Sequence, residues 1–186
     1  MFEYVDGGAE DERALKRNLA AFDDYRFIPR TLVNTLDRHA RTTLFGAPSA
    51  LPIVVAPTGL NGMLRRGGDA MLARAAAKAG IPFCLSTVAN VSPAEVASPD
   101  ARLWMQLYVF KDPAITAEVV RRADESGCEA LVFTTDANVF GAREWDQRSF
   151  RAPGRLTLAS LLDALGHPRW LADFLAHGFP RFVNVE

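Results

Sequence analysis

Four short apolar runs, each stopping abruptly at polar side chains, constrain this chain more than any other feature. Ile53-Val54-Val55-Ala56 stops at Pro57-Thr58-Gly59, and Pro82-Phe83-Cys84-Leu85 stops at Ser86-Thr87. Leu103-Trp104-Met105 stops at Gln106, with Tyr108 two residues on, and Ala130-Leu131-Val132-Phe133 stops at Thr134-Thr135-Asp136. Runs of this length with β-branched and aromatic residues suit buried strands. Pro57 lacks an N–H and cannot continue a central ladder; Gly59 lets another group approach the backbone closely. The run ends, marked by Ala56, Ser86, Gln106 and Thr134, lie 30, 20 and 28 residues apart, the spacing of successive βα units with right-handed parallel crossovers. The expected fold class is therefore α/β. In a closed α/β architecture the carboxyl ends of the strands carry the site, so Pro57, Thr58, Ser86, Gln106, Tyr108, Thr134 and Asp136 form a candidate rim. Ser, Thr and Asp at these places also suit helix N-caps. Gln is a poor cap, however, and a Tyr beside it needs another reason.

The 186 residues suffice for one domain with a sizeable core, and 49% hydrophobic with 23% charged residues is ordinary for a globular protein. A net charge of −1 offers no basic field, so no nucleic acid partner is expected. No run reaches the roughly 18 apolar residues of a transmembrane helix, and Met1–Asp6 lacks the basic and apolar regions of a signal peptide. Cys84 and Cys128 lie in or beside strand patterns and read as buried free thiols, consistent with a reducing, cytoplasmic compartment. His39, His167 and His177 show no metal-ligand spacing with the cysteines, so no metal site is expected.

Along the chain, Asp6-Gly7-Gly8 predicts a tight turn and residues 10–25 a helix with Leu15, Leu19 and Phe22 on one face, opened by Glu10, Asp11 and Glu12. Residues 26–36 are expected to be extended. Thr42–Gly46 predicts a short strand and Gly46-Ala47-Pro48 a turn, a piece suited to plugging the closed end of a barrel. A helix is expected over 69–79, stopped by Gly80. Another starts at Ser92-Pro93-Ala94-Glu95 with a capping box, and a third runs from Asp112-Pro113 to Ser126, stopped by Gly127. Beyond Asp136 the alternation breaks: residues 138–154 form a polar loop, and residues 157–165 and 168–176 predict two short helices. Four βα units do not close a barrel, which takes about eight strands. An open half exposes two sheet edges and one interior face, so the sequence is expected to be a fragment, or to be completed by a second chain.

Five stretches, in order, carry a resemblance. They are Tyr4-Val5-Asp6-Gly7-Gly8-Ala9-Glu10-Asp11, Ala56-Pro57-Thr58-Gly59-Leu60-Asn61-Gly62, Leu85-Ser86-Thr87, Gln106-Leu107-Tyr108, and Thr134-Thr135-Asp136 through Gly141-Ala142-Arg143-Glu144. Together they resemble the amino-terminal half of the FMN-dependent α-hydroxy acid dehydrogenases and oxidases, the family of glycolate oxidase, L-lactate dehydrogenase and mandelate dehydrogenase. The resemblance implies a (β/α)8 TIM barrel of which this chain covers roughly the first four units. It implies a single barrel domain whose amino-terminal half is residues 1–186, with residues 137–186 a loop and helix insertion after the fourth strand. It implies FMN as cofactor, with Ala56, Pro57, Thr58 and Gly59 against the flavin and Ser86, Gln106 and Thr134 bonded to the isoalloxazine edge. Tyr4, Tyr108 and Arg143 are implied to hold the substrate, the guanidinium pairing with its carboxylate. Tyr108 lies by the reacting oxygen, and Asp136 orients and stabilises a catalytic histidine.

The implied reaction is oxidation of an L-2-hydroxy acid of the lactate, mandelate or glycolate class to the 2-oxo acid. Quinone, cytochrome or oxygen would be the electron acceptor, and the complete protein a homo-oligomer, a tetramer. The sequence also departs from the family. The Ser-Asn-His-Gly base motif, its following arginine, a lysine near flavin N1 and the glycine-rich phosphate site belong to the carboxyl-terminal half, and none occurs here. The chain alone is expected not to turn over. Gly59 is expected to leave room for a bulky substrate side chain. The tract 163–182, with His167-Pro168-Arg169-Trp170, resembles the dehydrogenase branch, where this segment docks on a membrane in some members; residues 157–182 are then either a peripheral membrane contact on the inner face or a helical lid. Two other readings stay open: a non-catalytic half-barrel that binds flavin weakly or only pairs with a partner chain, and a different FMN barrel enzyme such as an isomerase, which the Tyr4 motif fits poorly.

Overall fold

The computed structural model describes residues 6–137, 139, 141–144, 162, 164–178 and 181–185. Tyr4, most of the 138–154 loop and most of the helix expected over 157–165 lie outside the described residues. The chain divides into two compact units, one of Met1–Arg38 with Ala137–Leu171 and one of His39–Asp136 with Ala172–Glu186.

In the first unit the expected helix is shorter than the sequence predicts. Helix α1 spans Arg13–Ala20 and runs into a 3-10 turn, Ala21–Asp24. Glu10 and Glu12 adopt positive φ, 49° and 57°, so the backbone turns where the acidic opening was expected to be helical. The Glu12 carboxylate instead accepts the Gly8 N–H at 3.1 Å, and Glu10 N–H bonds the Ala142 carbonyl at 2.7 Å. No residue of α1 is buried: Leu19 is 66% and Phe22 78% exposed. The predicted apolar face exists but is uncovered, as are Phe27, Ile28, Leu32 and Leu36 in the segment that follows.

The second unit holds the sheet. A hairpin pairs β1 (Thr42–Leu44) with β2 (Ala47–Ser49), register Leu44 opposite Ala47. The turn is Phe45-Gly46, both at positive φ, as tight hairpins need, so the turn expected over Gly46-Ala47-Pro48 sits one step earlier. Strands β3 (Phe83–Leu85), β4 (Leu103–Leu107) and β5 (Ala130–Phe133) then form a parallel sheet in chain order. The first apolar run joins it through one residue: Val55 makes a parallel bridge to Phe83, with its N–H on the Pro82 carbonyl and its carbonyl on the Cys84 N–H, both 3.0 Å. Pro52 and Pro57 remove backbone donors on either side and hold the run to that single bridge.

The helices obey their end signals. The single turn α2 is Asn61–Leu64 and α3 is Gly68–Ala79, ended by Gly80 at φ 67°. Turn α4, Pro93–Val96, has the full capping box: Ser92 Oγ accepts from Glu95 N, and Glu95 Oε2 accepts from Ser92 N at 2.7 Å. Helix α5, Pro113–Glu125, starts on Asp112, whose Oδ1 accepts from Ala114 N at 2.9 Å. Helix α6 is Pro168–His177.

Packing follows from these placements. Strand β3 is buried at every residue, as a parallel strand covered on both faces must be. Leu85, Leu103 and Met105 are essentially inaccessible, with Ala73 and Ala76 of α3 and Val119 and Ala123 of α5 against them. Alanines allow close approach of helix to sheet, and each buried Leu or Met contributes about 1.5–3 kcal/mol. At the amino end of β4, Arg102 clamps the hairpin: Nη2 donates to the Leu44 carbonyl at 2.8 Å and Nη1 to that of Pro48 at 3.0 Å. The same guanidinium forks onto the Glu129 carboxylate, at 2.9 Å from Nε and 2.7 Å from Nη2. The hairpin thus stoppers the amino end of the strands and leaves the carboxyl end for the polar residues. Strand β5 terminates the sheet; among the described residues nothing pairs its outer edge.

Candidate functional site

At the carboxyl end of β3 and β4 the polar residues form one hydrogen-bonded row. Gln106 is only 2% exposed. Its Oε1 accepts from Thr87 N at 3.0 Å and from Ser86 Oγ at 3.4 Å. Its Nε2 donates to Thr134 Oγ1 at 2.9 Å. One buried amide thus ties the ends of three adjacent strands, which the parallel register makes possible by setting Gln106 opposite Val132, two residues before Thr134. Ser86 caps no described helix: its Oγ takes Val88 N–H in a local turn at 3.2 Å, and capping of the two helices that follow β3 and β4 falls to Ser92 and Asp112. Thr87 hydroxyl donates to the Gln106 carbonyl and receives Tyr108 N–H at 3.4 Å. Tyr108 is half-buried, and Asp136 is exposed beyond the end of β5.

The Pro57–Gly59 stretch joins this row through the neighbouring turn, where Leu60 N–H bonds the Val88 carbonyl at 3.2 Å. Ala56 and Thr58 are exposed, Pro57 and Gly59 half-buried. A Cβ on Gly59 would lie 2.5 Å from Val88 Cγ2. The direction a Gly59 side chain would take is therefore occupied by Val88, and the smallness of this glycine lets two loops pack. Arg143 belongs to the other unit, where its Nη2 donates to the Gly7 carbonyl at 3.1 Å.

Both cysteines are free. Burial, with the nearby Cys128 adding to it, pushes the Cys84 thiol up to about 12, and burial alone pushes Cys128 to about 11, so neither is a nucleophile at neutral pH. No cluster of three or more His, Cys, Asp or Glu able to hold a metal occurs among the described residues. An open hollow between α5 and β5, lined by Val120, Asp124, Cys128 and Leu131, contains none of the rim residues.

Sequence reasoning missed four residues that shape this site: Thr87, Asn61, Asn90 and Asp69. Asn61 Nδ2 donates to Thr58 Oγ1 at 2.8 Å and to Asp69 Oδ1 at 2.7 Å. Asn90 Oδ1 accepts Gly62 N–H at 2.9 Å. Asn61 lies in the opening motif, but nothing local to the sequence marks the first turn of α3 as its partner.

Parallel strands in chain order, an amino end stoppered by a hairpin and a carboxyl end lined with buried amide and hydroxyl groups define an α/β protein with a polar site at its strand ends. The sequence matches the FMN-dependent dehydrogenase family over residues 1–184, and the chain belongs to that family. It is similar to (S)-mandelate dehydrogenase of Pseudomonas putida, 42% identical over 186 residues, covering 99% of this chain and 47% of that protein. It is equally similar to L-lactate dehydrogenase of Pectobacterium atrosepticum, 42% identical over 97% of this chain and 47% of the relative. Among solved structures, monotopic membrane protein (S)-mandelate dehydrogenase superposes with a TM-score of 0.90 at 41% identity, over 98% of this chain and 49% of that one. A mandelate oxidase structure superposes with a TM-score of 0.76 at 36% identity, over 83% of this chain and 46% of its own. The chain thus spans about half the length of the relatives it matches.

The donor row suits a flavin ring. Gln106 uses its carbonyl and one amino hydrogen within the row, and among the described residues its second amino hydrogen and the Thr134 hydroxyl hydrogen have no acceptor. These match the carbonyls and ring nitrogens along an isoalloxazine edge.

Proposed function

We propose that this chain is the amino-terminal half of one (β/α)8 barrel domain, residues 137–186 being an insertion after its fourth strand, and that the complete protein oxidises an L-2-hydroxy acid to the 2-oxo acid. The observation that carries the reading is the Ser86–Gln106–Thr134 row, bonded across three parallel strand ends. Ser86, Gln106 and Thr134 hold the isoalloxazine edge, and the backbone of Ala56, Pro57, Thr58 and Gly59 lies against the ring. Bound FMN would supply the acceptor for the two electrons released from the substrate's Cα–H bond, while the hydroxyl proton would pass to the base. Tyr4, Tyr108 and Arg143 bind the 2-hydroxy acid, the arginine as a fork on the carboxylate and Tyr108 through its hydroxyl near the reacting oxygen. Asp136, exposed at the end of β5, is available to a histidine base from the remainder of the barrel and stabilises its protonated form. Quinone, cytochrome or oxygen reoxidises the flavin, the assembled protein is a tetramer, and its compartment is the cytoplasm.

Flavin titration tests this. Because the phosphate-binding motif is absent from the sequence, the purified 186-residue chain is expected to bind FMN and riboflavin with equal affinity, and Gln106→Ala to weaken both about tenfold, the worth of one buried hydrogen bond. An unperturbed flavin spectrum with the folded chain, or full affinity in the Gln106 variant, would sink the assignment. The chain alone is expected to show no hydroxy-acid oxidation; turnover would show that it carries its own base.

Membrane contact at the inner face is the second part of the proposal. Trp170 and Leu175 of α6 are exposed, no described helix is long and apolar enough to cross a membrane, and a relative solved as a monotopic membrane protein supports an interfacial role. Flotation with anionic vesicles is expected for the chain and lost in Trp170→Ser/Leu175→Ser. Flotation by neither form would leave residues 157–182 as a lid.

A further inference from the structure

Asp69, in the first turn of α3, is 1% exposed. Burying a carboxylate is costly unless its oxygens are satisfied, and both of these are. Oδ1 accepts from Asn61 Nδ2 at 2.7 Å, and that amino group also donates to Thr58 Oγ1 at 2.8 Å and to the Thr58 carbonyl at 3.1 Å. Oδ2 accepts from Asn90 N at 3.4 Å. Asn90 then reaches two ways: its Oδ1 accepts Gly62 N–H at 2.9 Å, and its Nδ2 donates to the Arg181 carbonyl at 2.8 Å. Asn184, three residues on, donates to the Val91 carbonyl at 3.0 Å. The positive end of the α3 dipole favours the charge.

We propose that Asp69 is a positioning residue: one buried carboxylate fixes the 57–62 loop through Asn61 and the 86–92 loop through Asn90, and through Asn90 ties the segment at Arg181 to both. This rests on the flavin reading above only in what the loops hold, since Thr58 and Ser86 are its proposed contacts. A carboxylate is required because both oxygens must accept at once. An amide at this position presents a donor to one of the two N–H groups, so Asp69→Asn keeps one arm, whereas Asp69→Ala keeps none.

The test measures amide hydrogen exchange in both loops and FMN binding by flavin fluorescence, on the 186-residue chain and its variants. Asp69→Ala is expected to speed exchange in residues 57–62 and 86–92 and to weaken FMN by about tenfold, in line with a lost charged hydrogen bond. Asp69→Asn should fall between. Asn61→Ala should free residues 57–62 alone. Asp112→Ala, which removes the α5 cap, should lower the melting temperature without touching either loop. Unchanged loop exchange in folded Asp69→Asn and Asn61→Ala overturns the proposal, as does loosening of both loops by Asp112→Ala. If the wild-type chain binds no FMN while the Asp69 variants still free the loops, the positioning role stands and the flavin reading falls.

Discussion

Gly59 and Val88 show how much one methyl group decides. Their loops approach so closely that a Cβ at position 59 would sit 2.5 Å from Val88 Cγ2, and a β-branched neighbour has no flexible tip to swing away. Gly59→Ala is expected to cost about 1–3 kcal/mol by overpacking, with most of it recovered in Gly59→Ala/Val88→Ala; denaturant unfolding of the pair checks this, and no recovery would mean that the strain lies elsewhere. Cys84 makes a prediction about alkali. Its thiol is raised by burial from 9.0 to about 12, so the folded chain holds that proton where the unfolded chain has lost it. Stability from this group is complete below pH 9 and falls as pH climbs toward 12. Cys84→Ala should flatten the decline above pH 9, and an identical slope in both proteins would contradict the burial account. At this scale the sequence spoke clearly about Ser86, Gln106 and Thr134, since each directly follows or ends an apolar run. It was silent about Asp69, because nothing in a helix-opening Gly-Asp pair says that two asparagines will close over it.

Elements were legible where chain chemistry is local. Ser92-Pro93 with Glu95, Asp112-Pro113, Gly80 and Gly127 place helix ends within a residue or two of the structure, because a cap or a left-handed stop depends only on its immediate neighbours. The hairpin was half legible: its first strand was expected, but a proline at position 48 suggested a turn rather than a strand. What holds the hairpin was not legible at all. Arg102 reaches three backbone carbonyls of it while forking onto Glu129, a partnership set by the β4–β5 register. The Arg102 guanidinium, with a further bond from Trp104 Nε1, holds the Glu129 carboxyl below its ordinary 4.5. A depressed carboxylate contributes above its unfolded pKa and loses the contribution as pH falls through the folded one. Glu129→Gln is therefore expected to be about 1 kcal/mol less stable at neutral pH, allowing for partial exposure. The difference should vanish as pH drops below 4.5, and a constant gap in acid unfolding curves would refute the pairing.

For the molecule as a whole, the open sheet has a direct consequence. Phe133 on β5 is 57% exposed beside the likewise exposed Leu131, on a strand with no described partner on its outer side. Unpaired apolar edges promote association, so the chain is expected to self-associate with rising concentration, and Phe133→Lys to reduce the associated fraction in sedimentation velocity; no change would place the sticky surface elsewhere, with the uncovered Phe27–Leu36 segment next in line. The sequence by itself determined the strand runs, their polar ends, the caps and stops and the family, because each is written in residues adjacent along the chain. Only the tertiary structure decided that Gln106 spans three strand ends, that Val55 alone represents the first run, that Val88 fills the space beside Gly59 and that Asp69 is the shared anchor of two loops. Those depend on register and burial between segments far apart in sequence, where the gain is made by packing and hydrogen bonding across the fold rather than by any local preference.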